Sequence, residues 1–252
     1  MISVDPLPVD TASLRLALEG VVRQLGLTES ALSMEGEFPS VAALRIDLTG
    51  AKFHRGLRLA TSADAAQPAF FVRELQVAAA PAYVEAVPVS LSVRATDAVF
   101  ALAGSTLSFS RCGSGHLELS VTRADLESAL ADVAREAAEK KGGELKSMKV
   151  DLEAEGPRAL KVRAVAVAKA MFFTATLTIT GRVEISDALE VRVVDLACTG
   201  DGMIANMAAG ALRPRLTELE GRTISLRAFV PSLHNITLDA ADGLRIRAEF
   251  GQ

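Results

Sequence analysis

Three histidines, two cysteines and a scatter of carboxylates are the residues of this chain with chemical reach of their own. His54, His116 and His234 stand at no helical or hairpin spacing from one another or from a cysteine, so they do not make the ligand pattern that zinc requires. Cys112 and Cys198 lie far apart and outside any C-x-x-C pair, which reads as two buried structural thiols. A serine hydrolase would need a nucleophile elbow, and no G-x-S-x-G occurs; Gly113-Ser114-Gly115 falls between two alternating runs and reads as a hairpin turn. Gly200-Asp201-Gly202-Met203-Ile204-Ala205 matches the form G-x-G-x-x-A, but dinucleotide binding needs a parallel βαβ setting that the flanking pattern lacks. Asp201 as helix cap, with the glycines as the turn, is the expectation there. Asp47, Glu118, Asp151 and Glu249 alternate with apolar strand residues, and Glu127 and Glu136 lie along helices; both are the pattern of solvated faces. No catalytic residue, metal or cofactor is assigned, and the chain reads as a non-enzyme.

Composition narrows the classes further. Apolar residues make up 50% of the 252 and aromatics 4%, with no Trp and one Tyr, so the interior is smooth and aliphatic. A chain of this length buries about three quarters of its unfolded surface. The formal charge of -4, from 31 acidic and 27 basic residues spread along the chain, lacks the concentrated basic field that nucleic acid demands. The first residues show no basic stretch followed by an apolar one, and no run of about 18 apolar residues follows. A cytoplasmic location is the corresponding expectation.

The elements that would position any site are legible in the hydrophobic period. Leu14, Ala17, Leu18, Val21, Val22 and Leu25 form one helical stripe behind Thr11 as the expected N-cap. A second helix opens at Thr122-Arg123-Ala124-Asp125, a capping-box pattern, and carries Leu126, Ala129, Leu130, Val133 and Ala137 towards Lys140-Lys141-Gly142-Gly143. A third, from about Asp201, bears Met203, Ile204, Met207, Ala208, Ala211 and Leu212, with Pro214 expected to kink or shorten it. Between them the period falls to two, at 44–48, 87–93, 117–121, 148–152, 173–179 and 244–250. One face of each run is polar, the mark of antiparallel sheets rather than of parallel sheets covered on both sides. Helices and alternating strands together predict an α+β fold. A weak internal repeat aligns Leu14, Ala17, Leu18, Val21 and Arg23 with Leu126, Ala129, Leu130, Val133 and Arg135, and each helix precedes a Ser-Met strand (Ser33-Met34, Ser147-Met148), the offset drifting by a few residues. This predicts one domain over 1–252 with pseudo-repeated halves at 1–113 and 114–252, against the competing explanation that any two amphipathic units share this much.

What remains is apolar volume. Val162, Ala164, Ala166, Phe173, Ala175 and Leu177 on strands, with Leu130, Val133, Met203, Ile204, Met207 and Leu212 on helices, are small or flexible enough to line a cavity as readily as to fill a core. An outward Phe in Phe70-Phe71 or Phe172-Phe173 could touch a partner or a membrane surface.

The order of elements, the Val121-Thr122-Arg123-Ala124-Asp125-Leu126 helix start, the stretch from Leu25-Gly26-Leu27 to Leu44, and Leu233 through Gly251 together resemble the LmeA-like family of bacterial phospholipid-binding proteins. That family belongs to the tubular lipid-binding (TULIP) superfamily. The resemblance implies highly curved antiparallel β-sheets wrapped around long amphipathic helices near 11–25 and 122–141, and an internal groove that binds or transports phospholipid or another acyl-chain ligand. The partner so implied is a lipid, with transient membrane contact. Arg163, Lys169, Arg213 and Arg215 are the cations that could reach a headgroup. A packed structural or assembly protein and a hydrolase built from distant residues are the alternatives.

Overall fold

The computed structural model describes the backbone of residues 2–3, 6–53, 67–104, 106–139, 142–170, 173–226 and 232–252, and within them all side chains except those of 2, 3, 67, 68, 103, 137, 170, 203, 204, 208, 211, 212, 215 and 219. In chain order the elements are β1 (Ile2–Ser3), α1 (Thr11–Gln24), a 3-10 turn (Glu29–Ala31), β2 (Leu32–Glu37), β3 (Ser40–Asp47), β4 (Lys52–Phe53), β5 (Gln67–Val84), β6 (Val87–Ala103), β7 (Thr106–Arg111) and β8 (Ser114–Thr122). They continue as α2 (Arg123–Glu139), β9 (Glu144–Ala154), β10 (Ala159–Ala170), β11 (Phe173–Ile185), β12 (Glu190–Asp201), α3 (Met203–Leu219), β13 (Thr223–Ser225), β14 (Leu233–Asp239) and β15 (Gly243–Gly251). The chain divides into two compact units, one of residues 1–120, 226–236 and 246–252, the other of 121–225 and 237–245.

Among the described residues strand far outweighs helix, in two sheets, which overturns the expected α+β design of long helices wrapped by sheet. The lengths show why. β5 and β6, at 18 and 17 residues, span about 55–60 Å. The longest helices, at 17 residues, span only about 26 Å. Each helix packs against one or two strands, α1 on β2, α2 on β9 and β10, and α3 on β12 and β11. Alternation marks the well-patterned middle of a strand, but β5 passes through Ala78-Ala79-Ala80-Pro81, where the apolar period disappears and the register with β6 shifts.

The ten-stranded sheet is ordered β14-β15-β8-β6-β5-β3-β2, with β7 on β6 and β1. In the first unit Phe70 stacks on its register partner Phe100 at 4.8 Å, and Phe109 and Phe250 continue the series edge-on at 5.9 and 6.0 Å. Gly115 makes room for it: a Cβ there would lie within the Phe250 ring edge, 2.6 Å from Cδ2. Gly113-Ser114-Gly115 is not a hairpin turn. β7 and β8 both pair with β6, along Val99–Ala103 and Ser90–Thr96, so the glycines interrupt one edge rather than reverse the chain. Adjacent Phe70 and Phe71 do take opposite sides, the first fully buried and the second 44% exposed.

α1 buries Leu14, Ala17, Leu18 and Val22, as its stripe predicts. Its cap is Asp10, not Thr11. Asp10 Oδ1 accepts from the Ser13 N–H at 2.7 Å, the Ser13 hydroxyl accepts from the Asp10 N–H at 3.0 Å, and the Thr11 hydroxyl accepts instead from Phe38 N–H. The Ser13 amide, then its hydroxyl, hold the Asp10 carboxyl below its ordinary pKa. A lowered folded-state pKa stabilises the fold above the ordinary value, and that stability is lost as pH falls through the folded one. Asp10→Asn should therefore leave a urea midpoint less sensitive to acidification below about pH 4 than that of the parent chain, measured by circular dichroism.

Candidate functional site

The five-stranded sheet, β13-β12-β11-β10-β9, is antiparallel throughout and belongs to the second unit. Register partners share a face, so its composition can be followed across the strands. One row runs Val150, Ala164, Ile179, Cys198; the next runs Met148, Ala166, Leu177, Gly200; Leu145, Ala168 and Ala175 follow. Alanines and glycine in the middle, with Met148, Leu152, Val162 and Ile179 around them, make an apolar face that is low at its centre. Val150, Leu160 and Cys198 are buried, whereas Val162, Ala164, Ala166, Ala175 and Leu177 are only half-buried. Phe173, on the same alternation, is 59% exposed.

The other face is polar. Asp151, Arg163 and Thr180 form one row, and Glu144, Lys169 and Thr174 another, with Val165 beside Thr178 and Val167 beside Thr176 between them. Arg163 and Lys169 therefore point away from the apolar face, and Lys169 helps to hold Glu144 below its ordinary pKa, behind the larger effect of Lys146.

α2 begins as its sequence predicts, the Thr122 hydroxyl accepting from the Asp125 N–H at 3.1 Å and donating to the Asp125 carboxylate at 2.6 Å. Its dock on β9 includes a polar contact: the Val150 N–H, on the outer side of that edge strand, donates to Glu127 Oε1 at 2.9 Å. Glu127 is thus a docking residue, not a solvated face. On the same helix Leu130 is 38% and Val133 68% exposed.

α3 folds back directly over the end of β12. Gly202 is its N-cap, with no side-chain cap bond, so Asp201 does not cap it, and the helix continues through Pro214 to Leu219. Ala205 and Ala209 face the sheet at 1% exposure, and Gly200 lets the helix backbone in. One turn further on the same side is Arg213, near enough for its charge to oppose the upward pKa shift that burial gives the Cys198 thiol. Met207, expected to line the cavity, lies on the opposite side of α3 at 72% exposure, because two residues from either buried alanine is more than half a turn. The side chains of Met203, Ile204, Leu212 and Arg215 lie outside the described residues, as do Met171 and Phe172.

The structure thus brings Val162, Ala164, Ala166, Phe173, Ala175 and Leu177 onto one face, places Leu130 and Val133 on the exposed side of α2, and sends Met207 elsewhere. Arg213 was among the cations expected near a headgroup, whereas Met148 and Ile179 complete the face and were not among the expected residues. Cross-strand register, which no single strand's pattern reveals, is what identifies them.

Other chemistry finds no assembly here. The G-x-G-x-x-A segment joins a helix to a strand whose pairings are both antiparallel, so it is not a dinucleotide-binding turn. Cys112 and Cys198 are free and buried, and burial raises both thiols. His116 and His234 are exposed, and His54 lies outside the described residues. Among the described residues no cluster of three or more His, Cys, Asp or Glu could hold a metal ion, and no helix is long and apolar enough to cross a membrane. No protein-family model, curated protein or solved structure matches this chain.

Proposed function

We propose that this chain is a non-catalytic lipid binder that holds an acyl chain, of a phospholipid or a comparable amphiphile, along the apolar face of its five-stranded sheet. One observation carries the reading: Ala164, Ala166, Ala175 and Leu177 form a low apolar floor that is only half-buried, with Leu130, Val133 and Phe173 exposed on the same unit. Burying about ten methylenes there contributes on the order of 8 kcal/mol before the losses of association. No strongly polar residue is needed for that gain. The resemblance of the sequence to the LmeA-like phospholipid-binding family supports the same ligand class. Phe173 and Val133 would make the passing membrane contact that loading requires, and two unpaired thiols fit a cytoplasmic site of action.

Arg213 is the headgroup partner in this reading. It shares its side of α3 with the buried alanines, and among the described residues no carboxylate pairs with it. Arg213→Gln should lower the preference for anionic over zwitterionic phospholipid about fivefold, the value of roughly 1 kcal/mol for an exposed ion pair. Competition between the two lipids in a fluorescent-lipid displacement assay measures it.

Native mass spectrometry and solvent extraction of the purified chain test the proposal itself. Co-purifying lipid, or stoichiometric uptake of fluorescent acyl chains from vesicles, is the expected result. A chain that carries none, takes up none and instead self-associates would overturn lipid binding in favour of an assembly role.

A further inference from the structure

The polar face of the ten-stranded sheet carries a second constellation, within the first unit. Register aligns Arg45 of β3, Gln76 of β5, Arg94 of β6 and His116 of β8 in one row across four strands, and Glu74, Thr96 and Ser114 in the row beside it. These seven polar side chains line a depression of about 210 Å³, the volume of roughly seven liquid waters. Arg45 and Arg94 stand two strands apart in that row, about 10 Å, with Gln76 between them. Arg45 forms an ion pair with Glu35. Arg94, between Gln76 and His116, has no carboxylate partner among the described residues. Beside it the Thr96 and Ser114 hydroxyls are 2.9 Å apart, and the bond between them needs only one of their two protons. The recess thus presents an arginine without a carboxylate ion-pair partner beside spare hydrogen-bond donors.

We propose that this depression binds a phosphate group, with Arg94 as its principal counter-charge and His116, Gln76 and the Thr96–Ser114 hydroxyl pair as further donors. Arginine's planar fork suits two phosphate oxygens at once. Arg45 is already paired with Glu35 and Glu74 lies in the same recess, so the site takes a single phosphate or a monoester and excludes polyanions. This site is independent of the acyl-chain face and stands or falls without it.

The test is a titration of the full chain with inorganic phosphate at low ionic strength, following the ring resonances of His116 by NMR and the heat of binding by calorimetry, with sodium chloride of equal ionic strength as the control. Saturable shifts of His116, a Kd in the micromolar to low millimolar range, and at least a tenfold weakening in Arg94→Gln are expected. Arg94→Lys should fall between the two, because it keeps the charge and loses the fork. Arg94 is exposed, so both variants should keep the parent Tm, which shows that any loss is local. Competition by phosphatidylglycerol vesicles would identify the bound phosphate as a lipid headgroup, and its absence would identify it as a soluble phosphate; both support the site. Unmoved His116 resonances at 10 mM phosphate, or an Arg94→Gln affinity equal to the parent's, would overturn it.

Discussion

Gly200→Ala should unseat α3 from the five-stranded sheet and cost about 3 kcal/mol or more of stability. The added methyl would fall inside van der Waals contact of the Ala205 carbonyl and 2.5 Å from the Asn206 amide nitrogen. Both are main-chain atoms of the first turns of α3, so no rotamer change relieves the clash and the helix as a whole must move. Lifting it exposes Ala205, Ala209 and Cys198, which are 1%, 1% and 3% exposed in the parent. Urea denaturation followed by circular dichroism measures the loss. An unchanged midpoint would mean that the helix does not cross the strand where Gly200 places it.

Ala166→Trp should abolish lipid retention, lowering co-purified lipid by about tenfold or more, while the Tm falls only slightly. Ala166 sits between Met148 and Leu177 in register and is half-buried, so an indole there occupies the proposed acyl-chain floor. In a dense core the same change would cost about 1–3 kcal/mol through overpacking, which makes a small Tm change diagnostic of an open face. Met207→Trp is the control, since its position on the far side of α3 at 72% exposure should leave lipid content unchanged. Mass spectrometry of lipid extracts, beside a thermal melt of each variant, reads both quantities. Equal lipid content in Ala166→Trp and the parent would remove this face from consideration.

Local pattern was legible where a segment has one buried side. The stripe of α1, the Thr122 cap of α2 and the alternating runs now within β3, β6, β8, β9, β11 and β15 were all evident from period alone. The α1 cap moved by one residue because Asp10 and Thr11 are both capping types, and only the Ser13 contacts decide between them. The balance of sheet over helix was not legible, because strands such as β5 lose alternation where alanine serves both faces. Topology was hidden for a different reason. That β7 and β8 share β6 as a neighbour depends on distant partners, and the glycines between them look the same in a hairpin and in a broken edge. The strand half of the candidate site followed from alternation, whereas Met207 did not, because the apolar residues of α3 occupy more than one side of the helix.

The carboxylate that α2 lays against β9 has a consequence for crowded solutions. β9 is one border of its sheet, and Glu127 occupies the outward amide at Val150 that a neighbouring backbone would otherwise claim. The opposite border, β13, is three residues long. Strand addition needs a long run of vacant amides and carbonyls, and Glu127 interrupts that run along β9. Molecules that meet through their greasy surfaces are thereby discouraged from zipping into fibrils.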